Sequence, residues 1–194
     1  MAKLKRKDLM SLEEYAEKRA DFRNQVIEHK KNRNVALGEH ATLYFEDEKT
    51  IQYQIQEMLR IEKIFEADAI NEELETYNPL VPDGSNWKAT FMIEYADAEE
   101  RAKVLATLVG VEDKVWVQVN GFDKVYAIAD EDMERDTAEK TSAVHFMRFE
   151  LTPEMSNAVK DSKDIAMGID YEGFEQTVNP IAESSRASLM NDLY

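Results

Sequence analysis

The chain has no cysteine among its 194 residues. That excludes disulfides, thiolate catalysis and any iron-sulfur cluster held by the chain's own sulfurs. A metal bound here would have to rest on Asp, Glu and the three histidines. Positive charge is also scarce. The 24 Lys and Arg against 40 Asp and Glu leave a net charge of −16, which repels phosphate backbones and anionic lipid, so neither nucleic acid nor a membrane is expected as a partner. Lys3, Lys5, Arg6 and Lys7 open the chain, yet no apolar run long enough for a signal peptide or a membrane span follows them. A cytoplasmic location without membrane insertion is therefore expected. Gly-rich phosphate loops, nucleophile elbows and zinc-protease helices are missing too, which removes the enzyme classes recognisable by short motifs.

What is present suffices for one full core. With 43% hydrophobic residues, a chain of this length buries about 70% of the surface that its unfolded form exposes. The strongest pattern is TIQYQIQEMLRIEKIF, residues 50–65. At about 100° per residue, Ile51, Ile55, Met58 and Phe65 form one stripe, and Leu59, Ile61, Ile64 and Tyr53 extend it round most of the cylinder. Only Gln52, Gln56, Arg60 and Lys63 are left for water. A helix apolar nearly all round is expected to be enclosed by other elements. Gln54, Glu57 and Glu62 fall inside its apolar arc and would need partners there.

Around this helix the chain reads as α+β. Ser11 begins a capping box and a helix over residues 12–31, with Leu12, Tyr15, Ala16, Phe22, Val26 and Ile27 inward and Arg19, Arg23 and His29 at the rim. Two short strands over 34–37 and 41–46 form a hairpin across Gly38-Glu39-His40, and Asp47 caps the central helix. A third helix covers 68–77, before Asn78-Pro79 and Pro82-Asp83-Gly84 break regular structure. Strand 88–95, helix 98–109, strand 115–119, an Asn120-Gly121 hairpin, strand 124–128, strand 141–151, a short helix from Thr152 and strand 165–169 follow. The order β-α-β-β then β-α-β predicts helices and a short hairpin packed on a mostly antiparallel sheet, ferredoxin-like in arrangement. Residues 1–82 form a helical half and 83–171 an antiparallel half of one compact domain. Residues 172–194 read as a loosely held C-terminal tail, whose apolar residues would allow a homo-oligomer.

Four side chains stand out as candidates: Glu57, Glu62, His145 and Arg148. His145 shares the inner face of its strand with Ala143, Met147, Phe149 and Leu151, and its ordinary reading is a core histidine tied to a backbone carbonyl. Arg148 points the other way and would seek a carboxylate, Glu57 being its natural partner. Glu57, Glu62 and His145 are the available metal ligands, but two carboxylates five apart on a helix diverge by about 140°, and a structural ion-pair network is the ordinary reading. Asp130, Asp132 and Glu134 imitate a calcium loop, with Arg135 where its glycine belongs and Thr141 where its glutamate belongs, so an EF-hand is rejected. No cofactor follows from these residues.

Three blocks carry a resemblance: FRNQVIEHKKNRNVALGEHATLYFEDEKTIQYQIQEMLRIEKI, ELETYNPLVPDG and KTSAVHFMRFEL. Over residues 8–171 they resemble a bacterial family described as a domain of unknown function. The resemblance implies genes often placed beside rubrerythrin-like proteins and heterodisulfide-reductase-like iron-sulfur proteins, and hence a role near redox or peroxide-defence chemistry. It carries no catalytic residue over to this chain. Two functions from different classes follow. One is a non-catalytic accessory or partner of an iron-sulfur or non-haem iron redox protein. The other is a small-molecule or metal-dependent enzyme using a core pocket of Glu57, Glu62, His145 and Arg148.

Overall fold

The structure, a computed structural model, describes residues 3–133, 135, 137 and 139–194. Helix α1 (Leu12–Lys30) starts where the Ser11 hydroxyl accepts a hydrogen bond from the Glu14 amide. It leads into the hairpin β1 (Asn34–Ala36) and β2 (Ala41–Phe45), helix α2 (Glu48–Glu62) and helix α3 (Ala67–Tyr77). Then come β3 (Asn86–Ile93), α4 (Ala98–Thr107), β4 (Val115–Val119), β5 (Val125–Tyr126), β6 (Ile128–Ala129) and β7 (Val144–Glu150). Helix α5 (Pro153–Lys160), β8 (Ile165–Ile169), β9 (Gln176–Val178) and α6 (Glu183–Met190) close the chain. The fold is α+β, as the residue pattern predicts. Among the described residues, no helix is long and apolar enough to cross a membrane.

The strands divide into two antiparallel sheets, β1-β2-β3-β7-β6 and β5-β4-β8-β9. Each β-α-β unit sends its first strand to one sheet and its second to the other: β3 pairs with β7, and β4 pairs with β8. The chain changes sheet at Ala127, between β5, which pairs with β4, and β6, which pairs with β7. One core joins the inner faces of both sheets, with Phe45, Trp87, Phe91 and Phe149 from the first and Val115, Val117, Ile165 and Met167 from the second. A smaller core gathers Leu4, Ile51, Ile55, Leu59, Leu74 and Val81 between the N-terminal segment, α2 and α3.

The central helix differs from expectation in an instructive way. Asp47 caps it as predicted, accepting from the Thr50 amide. It is not enclosed, however: it buries the stripe Ile51, Ile55 and Leu59 but leaves Ile61 61% exposed and Phe65 70% exposed. The helix ends at Glu62, because Lys63 takes a left-handed conformation (φ 57°) that turns the chain away before the predicted last turn. Gln56, expected in water, is fully buried, and its amide accepts from the Met10 N–H at 2.6 Å.

Residues 172–194 are likewise not a loose tail. Ile181, Leu189 and Leu193 belong to the main core. The Trp87 indole N–H donates to the Leu189 carbonyl at 3.0 Å, and Tyr194 returns its N–H to the Gly84 carbonyl. Its ring lies so close that a Cβ on Gly84 would sit 2.3 Å from it. Sparse apolar residues flanked by serines read as weak signals alone, but each meets a prepared surface from earlier in the chain. Leu189→Ala should therefore cost about 2–5 kcal/mol of stability, the usual range for emptying a sealed core site, measured by urea unfolding followed through Trp fluorescence. A change under about 0.5 kcal/mol, the size typical of a surface site, would show that α6 does not close the core.

Candidate functional site

The four predicted site residues lie in separate places. Glu57 faces α1, where Arg19 grips it with two hydrogen bonds of 2.7 and 2.9 Å. The Tyr15 hydroxyl donates to the same carboxylate at 2.6 Å and Arg60 adds a bond at 3.3 Å. The Arg19 hydrogen bond, helped by Tyr15 and Arg60 and opposed by partial burial, draws the Glu57 carboxyl down to about 2. A group held so firmly as a carboxylate is a poor proton carrier near neutral pH. Glu62 sits exposed at the end of α2.

His145 is fully buried on β7. Its Nδ1 lies 2.5 Å from Asp130 Oδ2, and its Nε2 lies 3.0 Å from the Ser142 carbonyl and 2.9 Å from the Thr141 hydroxyl. The backbone carbonyl expected from the sequence is present, and a carboxylate from the loop after β6 is added to it. Arg148 does not meet Glu57. It binds Glu131, in the loop after β6, at 2.7 and 2.8 Å and also Glu150 on its own strand. Asp130 and Asp132 both bind Arg135, while Glu134 of the calcium-like run lies outside the described residues. Among the described residues, no three His, Cys, Asp or Glu side chains are grouped to hold a metal. Glu57, Glu62 and His145 do not form a ligand set.

A different surface is built around the end of α2. The Gln52 amide donates to the Asp8 carbonyl at 2.6 Å, and Gln56 bonds both the N–H and the carbonyl of Met10. Asn78 does the same for Leu4 at 2.8 and 3.0 Å. These amides hold the N-terminal segment against α2 and α3, and the seam leaves a groove of about 410 Å³ lined by Leu9, Met10, Leu12, Leu59, Ile64 and Ile70. Arg6, Ser11, Glu13 and Phe65 line it as well, and Lys3, Lys5 and Lys7 are exposed in the same N-terminal segment as Arg6. The sequence held a usable signal for this seam. Gln52 and Gln56 are one helical turn apart, a ridge of amides that suits peptide groups as well as water.

The fold and this site define a two-sheet α+β protein with a largely apolar surface groove whose lining includes both Arg6 and Glu13. The chain belongs to the family described as protein of unknown function (DUF3501), whose model matches residues 3–193. The likeness thus runs through α6 and does not stop near residue 171. A crystal structure of a novel protein of unknown function from Burkholderia pseudomallei K96243 is similar over 100% of both chains, with 52% identity and a TM-score of 0.94. No curated protein matches the chain.

The Glu57 cluster gives a pH signature. Its folded-state value lies below the ordinary 4.5, so its stabilisation is complete above that pH and is lost as the pH falls toward 2. Glu57→Gln should lower stability at pH 7 by about 1–2 kcal/mol, since Arg19 is partly solvated. The difference from the parent should shrink steadily below pH 4.5 in urea titrations. A difference independent of pH would show that packing, not the ion pair, is what the substitution removes.

Proposed function

We propose that the protein is a non-catalytic accessory that docks through this groove on an iron-sulfur or non-haem iron redox protein in the cytoplasm. The observation that carries the reading is the large exposed apolar side chain of Phe65 in a groove lined mainly by apolar residues, next to the basic N-terminal stretch of an acidic chain. Exposed apolar surface rimmed by charge marks interaction sites, and Lys3, Lys5, Arg6 and Lys7 select a partner segment that is acidic as well as apolar. The redox character of the partner rests on the family resemblance and on the absence of cysteine, which requires any iron-sulfur chemistry to reside elsewhere. The enzyme reading draws no support from these side chains, since Glu57 is held by Arg19, His145 is buried against Asp130, Glu62 is exposed and Arg148 lines a separate cleft.

The test is co-purification of the full chain at native abundance under gentle anaerobic conditions. The parent should retain an iron-containing protein, recognised by its iron content and visible absorption, and Phe65→Asp should release it while unfolding as the parent does. Recovery of no iron protein overturns the proposal. So does a concentration-dependent dimer that Phe65→Asp dissolves, since the groove would then join two copies of this chain.

A further inference from the structure

The outer face of the larger sheet holds a second concavity, remote in character from the docking groove. Strand register places Lys88, Arg148 and Ile128 in one row across β3, β7 and β6, with Thr90 and Phe146 paired in the next row. Tyr77 at the end of α3 and the turn Asn78–Leu80 raise one wall. Glu131, Asp132 and Arg135, from the loop after β6, supply the other. Between them lies a cleft of about 350 Å³, within the size range of small-molecule sites.

Three cations line it, Lys88, Arg135 and Arg148, in a chain with far more acids than bases. Two of them are already neutralised. Arg148 is held by Glu131 and Glu150. Arg135 is held by Asp130 and Asp132, with its guanidinium 4.7 Å from the centre of the Phe146 ring. Lys88 is different: its ammonium donates to the Pro79 carbonyl, and no carboxylate lies within ion-pair range among the described residues. Like charges directly opposite on neighbouring strands repel, and Lys88 faces Arg148 in that way. Burial pushes the lysine below its ordinary range, and Arg148 adds to this, against the opposing pull of Asp83, Glu131 and Glu150 at longer range. A half-buried ammonium that touches a backbone carbonyl and no carboxylate directly still has donors to offer an anion.

We infer that this cleft binds a small organic monocarboxylate, its carboxylate at Lys88 and its apolar body over Phe146, Ile128 and Leu80. Glu131 and Asp132 set the charge limit. They line the same space, so a second negative charge on the ligand would meet them, and phosphate dianions are selected against. The apolar wall makes an acyl or aryl carboxylate a better fit than acetate.

The experiment is isothermal titration of the full chain with hexanoate, benzoate, acetate and inorganic phosphate. Hexanoate or benzoate should bind saturably in the millimolar range or tighter and better than phosphate. Lys88→Met should weaken that binding by about tenfold or more without lowering the thermal midpoint, because it removes an unpaired charge from a half-buried site. Phe146→Ala, which leaves the lysine in place, should weaken benzoate more than acetate. If neither carboxylate saturates the parent, the site is overturned. If phosphate binds as well as benzoate, or Lys88→Met binds like the parent, the ligand class is overturned. None of these outcomes touches the groove beside Phe65, so the docking proposal stands or falls separately.

Discussion

A guanidinium sealed from water must have every strong donor answered, and Arg33 imposes that condition on the whole molecule. Its side chain is 2% exposed. It donates to the carbonyls of Phe45 and Glu46, to Ser188 and, at 2.6 Å, to Asp192, and it lies 3.4 Å from Asp47. These contacts lock the β1-β2 hairpin, the residue that caps α2, and α6 to one another. Removing one member of such a group leaves a buried charge uncompensated, at a cost of about 3–5 kcal/mol. Burial pushes the Asp192 carboxyl up to about 6 even though Arg33 pulls it down, so desolvation outweighs pairing there. The last turn of the chain is therefore part of the condition for the first hairpin, and truncation at residue 171 would open the core as well as shorten the protein.

That long-range closure explains which features the sequence revealed and which it hid. Caps at Ser11, Asp47 and Thr152 were legible because each is settled within three residues by one side chain and one amide. Alternation in β3, β4 and β7 was legible because each strand has a face on the shared core. Arg33 was not: it lies between elements, has no periodicity to disturb, and finds its carboxylate partner 159 positions away. The enclosure of α2 was misread for a related reason. An apolar count round a helix reports how much of it avoids water, yet it cannot distinguish a surrounding core from a surface kept for another molecule. Ile61 on the helix, and Phe65 just past its end, are exposed.

Turn chemistry carried a similar ambiguity. Asn120-Gly121 does turn the chain, with Phe122 N–H donating to the Val119 carbonyl at 3.0 Å, but only Gly121 takes a positive φ, 93°. A two-residue hairpin turn of the expected kind needs both central residues there. Pairing accordingly begins no nearer than Val117 with Val125, and β5 is left with two residues before the chain crosses to the other sheet at Ala127. This short crossing places Asp130 against the His145 ring and the Phe146 amide. From there Glu131 and Asp132 reach the outer face. The predicted core histidine thus acts as the anchor of a loop, and its bond to Asp130 positions a wall of the cleft that contains Arg148.

The scarcity of positive charge gives both surface sites their character. At physiological ionic strength, exposed charges act over roughly 8 Å, so the cations beside Phe65 and those in the cleft are felt close at hand, while a net charge of −16 repels anions generally. An acidic ligand must therefore recover at contact what it loses on approach. Apolar area does this, because burying it is favourable at about 25 cal/mol per Å² whatever the sign of the field. Repulsion, in contrast, grows with each added charge. Sites of this construction discriminate by the ratio of apolar surface to charge: a phosphate cluster or a nucleic acid has too little of the first and too much of the second. An acidic helix with an apolar face, or a carboxylate on a hydrocarbon body, satisfies both.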